Sequence, residues 1–364
     1  MVDVLGADMT TGRVEPGAPP ASTPRPNSDA GSSYPPGEPD HRPDGTGAQA
    51  ARPATGDGRA REPRPVVRVS APTELRNARS RDLDLMSVRD VLKVINEDDR
   101  RVPVAVSKVL DEIAVAVELA VTALRAGRRV HYFGAGTSGR LGVLDAAELA
   151  PTFNAPDRWF CAHLAGGPDA MWRAVEDAED DETGGAEEAR ECVRAGDLVV
   201  GLAASGRTPY VLGALRAATD AGADTVLICA DPGAAAARSV TVFIGVETGP
   251  EVVTGSTRMK AATAQKLVLN GFSTAVMVQL GRVFSNLMID MVATNAKLRG
   301  RMISILVEAT GCAEEVAQRA LTEADGDLKA ALVALLSGAA VADARAALDR
   351  SANQVRGAIA LLAG

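Results

Sequence analysis

From residue 130 onward, short apolar runs alternate with longer amphipathic stretches. The runs at 130–133, 159–164, 198–202, 225–229 and 240–246 are too short for helices. They are largely uninterrupted by polar residues, as expected of strands buried on both faces of a parallel sheet. Helical patterns at 139–149, at 168–194 with a break, and at 208–221 separate most of them, and Gly222 stops the last. Upstream, Val88, Val91, Leu92 and Ile95 recur at i, i+3, i+4 and i+7 behind Ser87, a suitable cap. A second helix is predicted over 103–126, ending near Gly127. Downstream, helices are predicted over 257–281, 283–300, 301–309, 313–323 and 327–336, with Gly311, Gly326 and Gly338 as stops, and an amphipathic stretch over 341–362. The rhythm predicts an open, doubly wound α/β domain with a five-stranded parallel sheet flanked by helices, plus a small C-terminal helical module.

Composition changes the picture at the N-terminus. Twelve of the 20 prolines precede residue 66, in a Gly-, Ser-, Asp- and Arg-rich stretch with no apolar period. Residues 1–70 are therefore expected to be either disordered or an artefact of a misplaced start codon. The expected division is 1–70, a main domain over 71–300 and the helical module over 301–364. A net charge of −8 and a pI near 5.1 argue against general nucleic-acid binding. No run of 18 apolar residues and no basic-then-apolar leader is present, so neither a membrane span nor a secretory signal is expected, and a cytoplasmic protein is the default. The four cysteines form no C-x-x-C pair and read as buried free thiols, which leaves disulfides and a zinc site without support from spacing.

The first strand runs into "FGAGTSG", in which Gly134, Gly136 and Gly139 fit G-x-G-x-x-G. A dinucleotide site also needs a carboxylate at the end of the next strand. That strand ends "CAHLAGG", without one. A second turn, "AASGRTP", repeats the Ser-Gly-Arg of the first: Ser138-Gly139-Arg140 answers Ser205-Gly206-Arg207. Backbone amides at Gly136 and Gly206, with hydroxyls of Thr137, Ser138, Ser205 and Thr208, suit an anion held at two helix starts. As single loops these would be caps and tight turns; as a pair at one sheet edge they predict a phosphate cradle. In a third segment, "GPEVVTGSTRMKAATAQKLVLN", Arg258, Lys260 and Lys266 follow the Ser256-Thr257 turn into a helix. Cations there oppose the helix dipole, so a compensating anion or carboxylate is expected nearby.

These loops, with "TELRN", "VINEDD", "GAGTSGRLGVLDAAELAPTF", "LAGG", "EDAED", "AASGRTPYV" and "ATNAKL", resemble the N-acetylmuramic acid 6-phosphate etherases of the sugar-isomerase (SIS) superfamily over about 72–312. The 249–266 block is similar to a signature shared with glucokinase regulatory proteins. The resemblance implies elimination of D-lactate from N-acetylmuramic acid 6-phosphate and addition of water, giving N-acetylglucosamine 6-phosphate, with no metal or redox cofactor. It places catalysis on Glu148 and Glu179, taken here as general acid and general base; the pair is firmer than the division of roles, since one carboxyl could serve both steps. Without the resemblance, Glu148 reads as a helix-end surface carboxylate and Glu179 as part of a solvated acidic run. It also implies that Gly136, Thr137, Ser138, Gly139, Arg140, Ser205, Gly206, Arg207, Thr208, Ser256, Thr257, Arg258 and Lys260 bind the sugar phosphate, and that the protein is a homodimer.

Two positions depart from the family pattern: Ala150-Pro151 stands for Pro-Pro, and Asp231 for an Asn that shapes a turn. His131 and His163, within the first and second strands, are expected to pack rather than catalyse, and Trp159, Trp172, Met288 and Met291 are expected to pack as well, while Asn295 and Lys297 match the family without an assigned role. A non-catalytic sugar-phosphate sensor and a sugar-phosphate isomerase are the competing readings. The first needs neither glutamate, and the second releases nothing.

Overall fold

The computed structural model describes residues 71–291, 293 and 296–364. The expectations for residues 1–70 and Asn295 lie outside the described residues. Helix α1 (Val88–Asp99) opens on Ser87, whose side chain accepts the Asp90 amide as expected. The single helix expected over 103–126 is α2 (Arg101–Val106) and α3 (Leu110–Arg125), separated by a tighter turn at Ser107–Val109. The alternating region follows as β1 (Val130–Gly134), α4 (Gly136–Phe153), β2 (Phe160–Leu164), α5 (Glu182–Cys192), β3 (Leu198–Leu202), α6 (Pro209–Asp220), β4 (Asp224–Cys229) and β5 (Val242–Gly245). Helix α7 (Lys260–Gln279) comes next.

All five strands are parallel, in the order β2-β1-β3-β4-β5. The chain moves outward to β2 on one side of β1 and to β3 on the other, so the switch point lies between β1 and β3. Ligands of open α/β sheets bind in the crevice at that point, beyond the carboxyl ends of the strands. Successive side chains point to opposite faces. Val130, Tyr132, Leu198, Val200 and Leu202 share a core with α3, α4 and α7, whereas Phe133, Val199 and Leu227 share one with α5 and α6. His131 is buried on the second face, and burial above all holds its ring down at about 4.

Several expectations are corrected. Helix α4 starts three residues early and runs through Pro151, which removes one N–H donor from the ladder two residues before the helix ends. The helix expected over 168–194 is α5 alone, preceded by short turns at Pro168–Met171 and Ala178–Asp180. Left-handed backbone at Gly166, Gly167 and Asp177 interrupts any longer helix. Over 283–300, Val283, Phe284, Leu287 and Met288 form a two-stranded hairpin, β6 (Val283–Phe284) with β7 (Leu287–Met288), turning at Ser285 with φ 54°. Their i, i+1, i+4, i+5 spacing satisfies a helical period equally well. Trp172 does not pack; it is 89% exposed, whereas Trp159 is half-buried and lies under the Arg282 guanidinium at 4.8 Å. Of the four free cysteines, Cys229 is buried and the others are half-buried.

Helix α8 (Ala296–Thr310) continues through residue 300 into a bundle of α9 (Glu314–Glu323), α10 (Leu328–Ser337), α11 (Val341–Arg350) and α12 (Val355–Leu362), with its own apolar core. The last two replace one expected stretch, broken where Ala352 and Asn353 take positive φ. Among the described residues no single helix is long and apolar enough to cross a membrane.

A buried polar knot joins three sequence-distant motifs. Lys260 Nζ lies 2.6 Å from Asp98 Oδ2, with both side chains 2% exposed, and donates to the Pro250 carbonyl at 2.5 Å. Asn77 Nδ2 donates to Asp98 Oδ2 at 3.0 Å, and Ser80 Oγ donates to the Val252 carbonyl. Glu251, fully buried, accepts the first amides of α7: Lys260 N at 3.0 Å and Ala261 N at 2.9 Å. Burial pushes the Glu251 carboxyl up, and these two amides pull it back. The compensating carboxylates expected beside this helix are thus Glu251 and Asp98. Lys260, expected on the substrate, is committed to the protein interior. Because removing one partner strands a buried charge, Lys260→Met is expected to cost about 3–5 kcal/mol in denaturant unfolding; a loss below about 1 kcal/mol would refute a structural role for the pair.

Candidate active site

The first Ser-Gly-Arg turn owes its shape to close approach. A Cβ at Gly139 would sit 2.5 Å from Leu164 Cδ1 and 2.6 Å from the Gly134 carbonyl oxygen. One at Gly134 would sit 2.6 Å from Gly139 Cα. The glycine spacing therefore lets α4 leave β1 and pack tightly against both β1 and β2. Ala135 supplies no side-chain cap, and the first turn-closing bond is Gly139 N to the Ala135 carbonyl. The amides of Gly136, Thr137 and Ser138 find no protein acceptor among the described residues, as the free start of a helix requires. The second turn leads from β3 into α6 in the same way. Gly206 takes φ 70°, Thr208 precedes Pro209 at the first helical position, and no side chain caps the helix. None of the hydroxyls of Thr137, Ser138, Ser205 and Thr208 makes a hydrogen bond among the described residues. Both helix starts are thus open to an anion, on neighbouring strands, at the switch point. The start of α7, closed by Glu251, is not.

The two arginines hold loops. Arg140 Nε donates to the Ala170 and Met171 carbonyls at 2.9 and 3.1 Å, and its Nη2 donates to that of Arg173 at 3.3 Å. Arg207 lies 3.6 Å from Asp231 Oδ2, while Asp231 Oδ1 accepts the Gly233 amide at 2.9 Å. The turn expected at Asp231 is therefore present, and the residue also anchors Arg207.

Arg140 holds the segment after β2 over the first helix start. There Gly136, Arg140, Arg173, Glu176 and Glu179 line a cavity of about 240 Å³. Glu179 stands exposed on the Ala178–Asp180 turn, just beyond the left-handed Asp177. The structure thus brings Glu179 to the anion-binding turn. It does not bring Glu148 there: twelve residues, or about 18 Å of helix rise, separate Glu148 from Gly136. Glu148 is exposed on α4, one turn beyond the exposed Leu144 and on the same face. Ser256, Thr257, Arg258 and Lys260 do not line the cavity either; their loop is tied to the N-terminal segment, where the Gly255 amide donates to the Thr73 carbonyl.

Sequence reasoning missed two contributors. Arg173 reaches the cavity and pairs with Asp169 at 2.7 Å, a signal visible only as an i, i+4 charge pair. Asp145 is buried, accepting Tyr132 Oη at 2.9 Å and Ser273 Oγ at 3.1 Å, and burial pushes its carboxyl up. It fixes the helix carrying Glu148 to β1 and α7, and its signal was a carboxylate on the apolar side of a helix.

The family model described as glucokinase regulatory protein N-terminal SIS domain matches residues 112–219, and a UBA-like domain model matches residues 301–342. The N-acetylmuramic acid 6-phosphate etherase of Thermobifida fusca is 59% identical over 273 residues, covering 75% of this chain and 90% of that protein. The one from Mycolicibacterium smegmatis is 50% identical over 288 residues, covering 79% of this chain and 97% of that protein. Among solved structures, a phosphoheptose isomerase from Francisella tularensis aligns with 53% of this chain and 100% of its own at 17% identity, with a TM-score of 0.45.

If Arg140 holds the 168–180 segment by charge-assisted bonds, Arg140→Ala is expected to raise amide exchange there by about 10–100-fold. Unchanged exchange in that segment, measured by mass spectrometry, would show that the clamp is immaterial.

Proposed function

This chain belongs to the N-acetylmuramic acid 6-phosphate etherase family, and from that premise we propose how its residues divide the work. The enzyme cleaves the D-lactyl ether of N-acetylmuramic acid 6-phosphate, releasing D-lactate and N-acetylglucosamine 6-phosphate. The uncapped starts of α4 and α6 receive the 6-phosphate through backbone amides and the hydroxyls of Thr137, Ser138, Ser205 and Thr208. With the sugar ring open, the C2 proton is acidic because it lies α to the C1 aldehyde. Glu179, at the rim of the cavity, takes that proton; Glu148 protonates the lactate oxygen leaving C3, and water then adds at C3. The carrying observation is that Glu179 and the first open helix start line one cavity.

Glu148 needs another explanation, because its own chain holds it away from that cavity. It shares a helix face with the exposed Leu144, and α1 also presents Leu92 and Val88 to solvent. Exposed apolar residues of this kind mark an interaction surface. We read it as the interface of a homodimer in which each site draws Glu179 from one chain and Glu148 from the other. A phosphorylated sugar does not cross membranes unaided, which favours a cytoplasmic enzyme.

Glu148→Gln and Glu179→Gln are each expected to lower kcat by about 10²–10⁴-fold with substrate affinity retained. Lactate release, with ¹⁸O from labelled water entering C3, is the readout; near-normal turnover in either variant removes that residue from the mechanism. Mixing the two inactive variants under subunit exchange should restore about a quarter of the wild-type rate, because half the dimers then carry one intact site. No restoration would place both carboxyls in one chain.

A further inference from the structure

Away from the cavity, on the sheet face covered by α5 and α6, three side chains from three elements converge. His131 on β1, His163 on β2 and Cys192 at the end of α5 bring Nδ1, Nε2 and Sγ within 4.8 Å of one another. The two imidazole nitrogens are 3.0 Å apart, and Cys192 Sγ is 3.7 Å from His163 Nε2. Tetrahedral zinc with ordinary bond lengths sets nitrogen–nitrogen and nitrogen–sulfur edges of about 3.3 and 3.6 Å. The outward nitrogens both face carboxylates: His163 Nδ1 lies 2.9 Å from Glu188 Oε1, and His131 Nε2 lies 3.4 Å from Asp197 Oδ2. Carboxylates behind histidines orient them as metal ligands. Tyr210 Oη, donating to Glu188 Oε2 at 2.5 Å, holds that carboxylate in turn.

Proton placement argues for a cation between the rings. The bond to Glu188 fixes a proton on His163 Nδ1 and leaves a lone pair on Nε2, aimed at His131. If His131 carries its proton on Nδ1, the rings are hydrogen-bonded, but its buried Nε2 turns a lone pair toward Asp197, and that atom has no hydrogen-bond partner. If the proton is on Nε2, two lone pairs meet at 3.0 Å. Neither neutral arrangement satisfies every atom; a second proton on His131 or a metal ion between the rings does. A metal ion accepts both inner lone pairs and lets His131 Nε2–H face Asp197.

We propose that His131, His163 and Cys192 bind a zinc-class divalent cation that staples β1 and β2 to α5. Two imidazoles and a thiolate suit such an ion, and solvent fills the fourth position through the side on which His163 and Cys192 are partly exposed. Binding releases the Cys192 thiol proton to solvent and replaces its bond to the Glu188 carbonyl, 3.0 Å away.

The test uses the full chain, stripped with a chelator and reloaded with Zn²⁺ or Co²⁺. About one equivalent should survive dialysis, and the cobalt form should show a thiolate-to-metal charge-transfer band. Cys192→Ser should abolish the band, Cys161→Ser on the strand that carries His163 should keep it, and Glu188→Gln should weaken zinc binding by about 10–100-fold. No retained metal in the wild-type chain, or a band unchanged in Cys192→Ser, overturns the site, and the wild-type measurement needs no variant to fold.

Discussion

Helix α4 can leave β1 where it does only because hydrogen alone stands on Gly134 and Gly139. Any larger atom at either position would meet backbone or the Leu164 side chain at less than 3 Å. That approach sets the height of the helix start above the sheet, and with it the direction of three unpaired amides. It also puts Arg140 within reach of the carbonyls that hold the segment bearing Glu179. The same glycine spacing serves dinucleotide enzymes for a related steric reason, which is why the motif by itself does not name a ligand. What distinguishes this site is the second open helix start on the neighbouring strand and the absence of a carboxylate after β2.

Below that turn, the positions of the helix carrying Glu148 and of its neighbour rest on buried polar groups. Asp145 joins α4 to Tyr132 and Ser273, so three elements must pack together before its carboxylate is satisfied. The Lys260–Asp98 pair does the same for α7 and the N-terminal segment. Such groups are costly when unpartnered, and so they specify one arrangement more sharply than apolar packing does.

Much of this was legible in the sequence, and for physical reasons. The strands were visible because both faces of the sheet are covered, leaving continuous apolar runs such as Leu198–Leu202. The two Ser-Gly-Arg turns were visible because a tight turn into a helix start restricts residue type. The β6–β7 hairpin was not, since four apolar residues at that spacing satisfy either period. Lys260 looked available because its partner Asp98 lies far away in sequence, and nothing local announces burial. His131, His163 and Cys192 were invisible as a group for the same reason. Each comes from a different element, so no ligand spacing exists to be read. The exposure of Trp172 likewise depended on a loop whose course is set by Arg140 and by left-handed glycines.

The closed start of α7 also bears on how function is transferred between proteins. The block around Glu251 and Lys260 is similar to a signature shared with glucokinase regulatory proteins, yet both of these residues face inward, one capping α7 and the other pairing with Asp98. A search keyed to that block therefore selects for packing at the start of α7 rather than for groups exposed to substrate. Glu148 and Glu179 lie outside that block, and both stand exposed on the surface.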